Sequence, residues 1–204
     1  MYRRYGRALV LVGALLCSPH AAWATTYTVD RDHSTVSFKI RHLFSQVVGT
    51  FNDFESRFDY VPDHPEQWKV TAAIQAASID TRVEKRDNHL RSPEFFDVAK
   101  SPTLTFTSTE VTDATPTDAK LHGVLTIHGV ARPVVLDLTI HGEGKDPWGN
   151  VRCGATATGT INRKDFGLTW NQALETGQFL VGDDVQITIE VEGVAAPTAN
   201  PSKS

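Results

Sequence analysis

The sequence predicts an all-β chain whose strands run antiparallel and close into a barrel, and three observations predict it. Short runs that alternate apolar with polar residues, rich in β-branched and aromatic side chains, recur over most of the length. Gly, Pro, Asp and Asn punctuate them, and only residues 81–98 carry a helical pattern. Eight or nine such strands would leave exposed sheet edges, and rolling the sheet into a barrel hides those edges completely.

The elements follow in order. Tyr27-Thr28-Val29 leads in, and residues 34–41 set Val36, Phe38 and Ile40 on a dry face against Thr35, Ser37, Lys39 and Arg41 on a wet one. A second strand is expected over 47–60 with Phe51, Phe54 and Phe58, then a turn at Val61-Pro62-Asp63, then a third strand over 68–76 with Val70, Ala72 and Ile74 in phase. Thr81-Arg82-Val83-Glu84 has the form of a capping box, a Thr hydroxyl positioned to accept an orphan helix N–H, and predicts a short helix through Leu90. Ser92-Pro93 starts a second turn that places Phe95 and Phe96 over the sheet.

Residues 103–111 with Leu104 and Phe106, 119–128 with Leu121, Leu125 and Ile127, and 134–141 with Leu136, Leu138 and Ile140 read as a meander, turned at 129–133 and 142–147. The strand over 151–161 is lined by Cys153, Ala155, Ala157 and Gly159, and 185–191 closes the series. Eight strands leave an interior that side chains fill or that holds one ligand. The small residues of 151–161 fit both outcomes, as space for a ligand or as space for bulky rings opposite.

The two ends do not belong to this pattern. Arg3, Arg4 and Arg7, the apolar run 8–17 and the small-x-small Ala22-Trp23-Ala24 predict a signal peptide over 1–24, cleaved after Ala24. Leu15-Leu16 before Cys17 argues against a lipidation signal. The domain is expected over 25–194, with a small, polar, proline-containing disordered tail over 195–204. Cleavage removes three arginines and no acidic residue, so Lys+Arg falls from 20 to 17 against 24 Asp+Glu, and the formal charge moves from −4 to −7. That balance argues against nucleic acid and against anionic membrane surfaces as partners. The apolar run is about half of the roughly 20 residues that cross a bilayer, so no stable membrane insertion is expected of the mature chain. It would carry Cys153 alone, without a disulfide, which fits a bacterial periplasm.

Motifs that carry chemistry are scarce. Seven histidines lie beyond the signal, at 33, 42, 64, 89, 122, 128 and 141, in no metal-ligand spacing, so no metal is expected. There is no Gly-x-Ser-x-Gly elbow and no phosphate loop. The densest polar cluster is Arg86-Asp87-Asn88-His89-Leu90-Arg91. Asp87 with His89 could act as an acid/base pair, or Arg86 and Arg91 as an anion clamp, but capping and tethering of the helical segment explain the same residues. Arg163 and Asp165 read as a pair across a turn in which Gly167 takes a backbone conformation other residues avoid.

Taken in order, several short pieces resemble one family. They are Val29-Asp30 with His33-Ser34 and Phe38; Gly49-x-Phe51; Ser78-Ile79-Asp80-Thr81; Arg86-Asp87-x-His89-Leu90-Arg91-Ser92; and Phe95-Phe96-Asp97. Ser101-Pro102 with Phe106, Gly123-x-Leu125-Thr126-Ile127-His128-Gly129 with Pro133, Arg163-x-Asp165-Phe166-Gly167 and Val181-Gly182-Asp183 complete the set. From about Tyr27 to Gly193 the chain resembles the YceI-like, polyisoprenoid-binding periplasmic proteins. The resemblance implies a lipocalin-like barrel of eight antiparallel strands, one or two short helices near one end, and an apolar tunnel for an extended isoprenoid, quinone-like or fatty-acid-derived lipid. It implies no catalytic residues and no cofactor beyond that ligand. The residues expected to line the tunnel are Val36, Phe38, Phe51, Ile74, Phe106, Leu125 and Leu136, with Leu90, Phe95 and Phe96 at the helical end. Transient membrane contact for lipid exchange is expected, and the oligomeric state, a homodimer included, stays open. The rival reading is an accessory protein acting on or protecting quinone-like lipids through His33, Asp87 and His89.

Overall fold

The structure, a computed structural model, describes residues 24–175, 177 and 179–196. The expected signal peptide, apart from Ala24, and residues 197–204 of the expected tail lie outside the described residues. The strands are β1 (Thr25–Val29), β2 (Thr35–His42), β3 (Ser45–Phe51), β4 (Phe54–Tyr60), β5 (Lys69–Gln75) and β6 (Ile79–Asp80), then β7 (Thr103–Thr112), β8 (Asp118–Ile127), β9 (Val130–Lys145), β10 (Val151–Asn162) and β11 (Val181–Ala195). A helix, α1 (Glu84–Arg91), stands between β6 and β7. It is far too short to cross a membrane, and no described helix is long and apolar enough to do so.

All pairings are antiparallel, in the order β1-β4-β5-β7-β8-β9-β10-β11, and β1 pairs back onto β11 to close the ring. The extra strands are continuations. β11 meets β1 at residues 193–195 and β2 at residues 181–190, so β1 and β2 are two halves of one strand bent at Arg31–His33. β3 and β4 are likewise halves of one strand, as are β5 and β6 on either side of the Ala76–Ser78 turn. Counted this way the barrel has eight strands, all in up-and-down sequence.

The bends decide which side chains point inward. Side chains alternate faces with period two, so a continuous strand from Phe51 to Phe54 would put one ring outside. The break at Asn52-Asp53 resets the phase, and Phe51 and Phe54 are both buried. The same reset at Arg31–His33 lets Val29 and Val36, seven residues apart, both face the core. The single strand expected over 47–60 is therefore two.

Three other boundaries differ from expectation for local reasons. The β8–β9 connection is the two-residue turn His128-Gly129, with φ of 52° and 73°, and Ala131 to Pro133 are already in β9. Two successive positive φ values match the turn to the twist of a hairpin. β11 runs to Ala195, and Ala196 N–H donates to Thr26 C=O, so the expected boundary between residues 194 and 195 falls inside a strand. Thr81 is not the N-cap of α1, which begins at Glu84 after Val83 with no side-chain cap.

Thr81 instead anchors the helix from below. Its backbone N–H and its hydroxyl both donate to buried Asp87, while Arg86 donates to the Thr81 hydroxyl and carbonyl oxygens at 2.7 Å. Arg91 donates to Ala77 C=O and Ile79 C=O, each at 2.7 Å. The charged residues of α1 thus hold it to the β5–β6 bend.

Arg163 plays the same part for the segment between β10 and β11. It is 3 % exposed and donates to Gly182, Leu168 and Trp170 carbonyls at 2.8, 2.6 and 2.8 Å, and it meets Asp183 rather than the expected Asp165. Burial pulls its guanidinium below its ordinary value. Gly167, at φ 80°, ends the short 3-10 turn that starts at Arg163. On the outer wall Arg152 gathers Asp30, Asp146 and Glu192.

Two outcomes are expected. Arg163→Leu leaves three carbonyls without a donor and should cost about 3 kcal/mol, seen as a melting temperature lower by roughly 10 °C. The Arg152 guanidinium and neighbouring hydrogen bonds hold the Asp146 and Asp30 carboxyls below the unfolded value of 3.8. Their contribution is therefore complete above that value and is lost as pH falls through the lower folded values. Thermal melts of the wild type should fall below about pH 4, and Arg152→Met should flatten that fall.

Candidate functional site

The barrel is not filled by its own side chains. A chamber of about 670 Å³ occupies the α1 end. β2, β3 and β11 supply its walls through Val36, Phe38, Ile40, Phe51, Val185 and Ile187. Leu90 of α1, Phe95 and Phe96 of the following turn, and Leu168 and Trp170 from the segment after β10 cover it. A narrower chamber of about 140 Å³ continues toward the other end, and Val36, Ile74, Ile187 and Ile189 line both.

Small residues shape this hollow in two ways. A Cβ at Gly49 or Gly123 would lie 2.4 Å from the ring of Phe38 or Phe106, so these glycines let large rings lie flat against the wall. Cys153, Ala155 and Ala157 of β10 instead front the narrower chamber. Of the small residues of β10, these three border open space, whereas a Cβ at Gly159 would lie 2.7 Å from Leu136 Cδ2.

Aromatic contacts fix the cover. Phe38 and Phe51 have centroids 5.8 Å apart, and Phe51 meets Phe96 edge-on at 5.8 Å. The His89 ring stands edge-on to Phe95 at 5.0 Å and to Trp170 at 4.9 Å, joining α1, its turn and the post-β10 segment. Such pairs contribute beyond their area. Ser37, His42, Lys85, Arg86, His89 and Arg163 are the polar and charged residues that line the larger chamber.

Of the ten residues expected to line the tunnel, Phe38, Phe51, Leu90, Phe95 and Phe96 face the larger chamber, Phe106, Leu125 and Leu136 the narrower, and Val36 and Ile74 both. Ile127, Ile161, Val185, Ile187 and Ile189 were missing from that set, although strand alternation marks them. Leu168, Trp170, Leu180 and Val181 had no periodic signal, because they reach the chamber from irregular backbone or a strand end.

The structure does not bring His33, Asp87 and His89 together. Asp87 is turned into Thr81, His89 Nε2 meets Glu94, and His33 lies on the outer wall 2.9 Å from Asp30. Asp87 and His89 are two residues apart on a helix and so face different ways. Asp30, His33 and Glu192 lie within metal-binding distance of one another, but the Arg152 guanidinium bonds both carboxylates and supplies the cation there.

Two buried polar side chains near the far end of the barrel keep their protons. Burial pushes the Cys153 thiol up to about 11, so it is no thiolate nucleophile at neutral pH. Tyr27, 0 % exposed and stacked on Phe58 at 5.0 Å, donates to Glu143, and burial with that carboxylate raises its phenol.

Comparison with known proteins places this geometry. The YceI-like domain model matches residues 27–193. A UPF0312 protein of Pectobacterium atrosepticum is 42 % identical over 184 residues, 89 % of this chain and 92 % of that protein. One of Shewanella baltica is 40 % identical over 187 residues, 90 % of this chain and 95 % of that one. Among solved structures, the Campylobacter jejuni YCEI protein superposes with a TM-score of 0.65 at 34 % identity, covering 76 % of this chain and 88 % of that one. Burkholderia cenocepacia BcnA (TM-score 0.71, 24 % identity, 80 % and 98 % covered) shares the fold. So does a polyisoprenoid binding domain from Saccharophagus degradans (0.62, 14 %, 83 % and 98 %). With a family model spanning its whole barrel and close relatives along nearly its full length, the chain belongs to the YceI-like family.

Proposed function

We propose that the chain is a periplasmic binding protein that carries or sequesters one long apolar lipid inside the barrel, and that it acts by binding and not by catalysis. The ligand class is a polyisoprenoid, an isoprenoid quinone or a fatty-acid derivative. The observation that carries this reading is the 670 Å³ chamber with its apolar walls. A dry void of that volume would forfeit on the order of 16 kcal/mol, at about 24 cal/mol per Å³, which is as much as the whole stability of a typical domain. The chamber opens to solvent, so water or hydrocarbon fills it, and hydrocarbon is the filling its walls favour.

A long ligand binds tightly without a charged anchor. At roughly −0.3 kcal/mol per atom, about forty carbons give about −12 kcal/mol, near nanomolar. The polyisoprenoid-binding description of the Saccharophagus domain supports the ligand class. The export pattern over 1–24 supports the periplasm. Against an enzymatic role stand the separation of His33, Asp87 and His89 and the protonated thiol of Cys153.

Freshly purified protein, extracted with organic solvent, should release a long-chain lipid by mass spectrometry, and lipid-free protein should melt higher when an isoprenoid is added. Absence of both would end the carrier reading. Ile187→Trp projects an indole into the larger chamber. It should lower lipid occupancy at least about tenfold while costing less than the roughly 1–3 kcal/mol of overpacking a filled core, because the space it enters holds no protein atoms.

A further inference from the structure

We propose that the mouth of the barrel is a docking face for a phospholipid bilayer containing anionic lipids, with Phe44 and Phe179 entering the headgroup region. This rests on the lipid-binding reading and adds where the cargo is exchanged. The starting observation is the two-residue turn Leu43-Phe44 that joins β2 to β3, where His42 faces Ser45. Such tips ordinarily take Gly, Asn or Asp. Here Leu43 sits at φ 50°, a conformation a bulky residue rarely adopts, and Phe44 is 96 % exposed.

Phe44 does not stand alone. Phe179, 52 % exposed, lines with it a surface depression of about 450 Å³ that also includes Leu43, Val181 and Arg41. Val181 lines the main chamber as well, so the depression adjoins the mouth. Leu43 N–H donates to Leu180 C=O at 2.9 Å, which ties the two aromatic-bearing segments together. Val83, another large apolar side chain standing in solvent, lies on the rim beside α1. An exposed apolar rim around an apolar chamber lets a hydrocarbon chain pass between bilayer and barrel without crossing water.

Basic side chains flank the two aromatics. Arg41 and Lys85 are exposed at the depression and the mouth, Arg82 is exposed next to Val83, and Lys164 Nζ lies 5.8 Å from the Phe179 ring centroid. Exposed acids share this end, Glu84 on α1, Glu94 after it, Asp165 after β10, Glu175 before Phe179 and Asp184 on β11, and Asp183, which lines the depression, is bonded to Arg163 and Lys164, so the basic flank is confined to the two aromatics. At the opposite end Asp59, Asp63, Glu66, Asp113, Asp118, Glu143 and Asp146 outnumber Lys69, Lys120, Lys145 and Arg152, near the far ends of β4, β7, β9 and the starts of β5, β8 and β10. Although the chain as a whole carries a net negative charge, this distribution turns the mouth rather than the other pole toward an anionic membrane. Aromatic insertion with basic flanks is the way peripheral proteins hold a membrane surface.

The test is flotation of the full chain with phosphatidylcholine vesicles and with vesicles that also contain phosphatidylglycerol, with bound lipid measured by mass spectrometry in the same samples. Wild type should float with the anionic vesicles, less so in high salt. Phe44→Ser, alone and with Phe179→Ser, should weaken partitioning about tenfold or more, with melting temperature and bound-lipid content unchanged. Failure of wild type to float, or equal flotation of the variants, overturns the docking face, as does a change from dimer to monomer in Phe44→Ser, which would make the face a contact between copies. A protein that never holds lipid would defeat the ligand reading instead, a result the mass spectra report separately.

Discussion

The structure depends on a closed antiparallel sheet whose inward side chains do not meet in the middle. Closure satisfies every strand edge, which frees the interior from any need to pack solid for the sheet to persist. The wall is then one residue thick, and its inner surface is whatever the alternation presents. Keeping that surface apolar around a full turn of the barrel requires the strands to bend, and each bend has to return the alternation to the correct phase. The breaks at Arg31–His33, Asn52-Asp53 and Ala76–Ser78 do so, and with them Val29, Val36, Phe51, Phe54 and Ile79 all face the core.

An open hollow makes its cover the point of weakness, and several buried or half-buried charged residues secure it. Asp87 and Arg86 converge on Thr81, Arg91 reaches the carbonyls of Ala77 and Ile79, and Arg163 ties the Leu168–Trp170 segment to Gly182. Buried charge of this kind is favourable only when fully bonded. Among the described residues no buried side-chain polar atom is left without a partner. The residues that most resembled catalytic groups are therefore used as fastenings. The chamber walls are left mainly to hydrocarbon side chains.

Much of this was legible from spacing. Period-two runs located the long strands, because a half-buried strand has to alternate, and the tunnel residues of β2, β5, β7, β8 and β9 followed from phase. The strand breaks were not legible, since Asn52-Asp53 reads equally well as two polar positions within one strand. The helix start was misplaced because Thr81 and Glu84 satisfy a capping pattern by sequence, while Asp87, six residues from Thr81, competes for the same hydroxyl in space.

Sequence by itself determined the fold class, the order of the strands and the apolar identity of the inner face, because these depend on local alternation and turn chemistry. Tertiary structure alone decided that the hollow stays open, that Trp170 and Leu180 help to form its mouth, that Arg163 meets Asp183, and that His33 stands apart from Asp87 and His89. Those outcomes depend on distances between residues far apart in the chain, and the curvature and closure of the sheet set those distances.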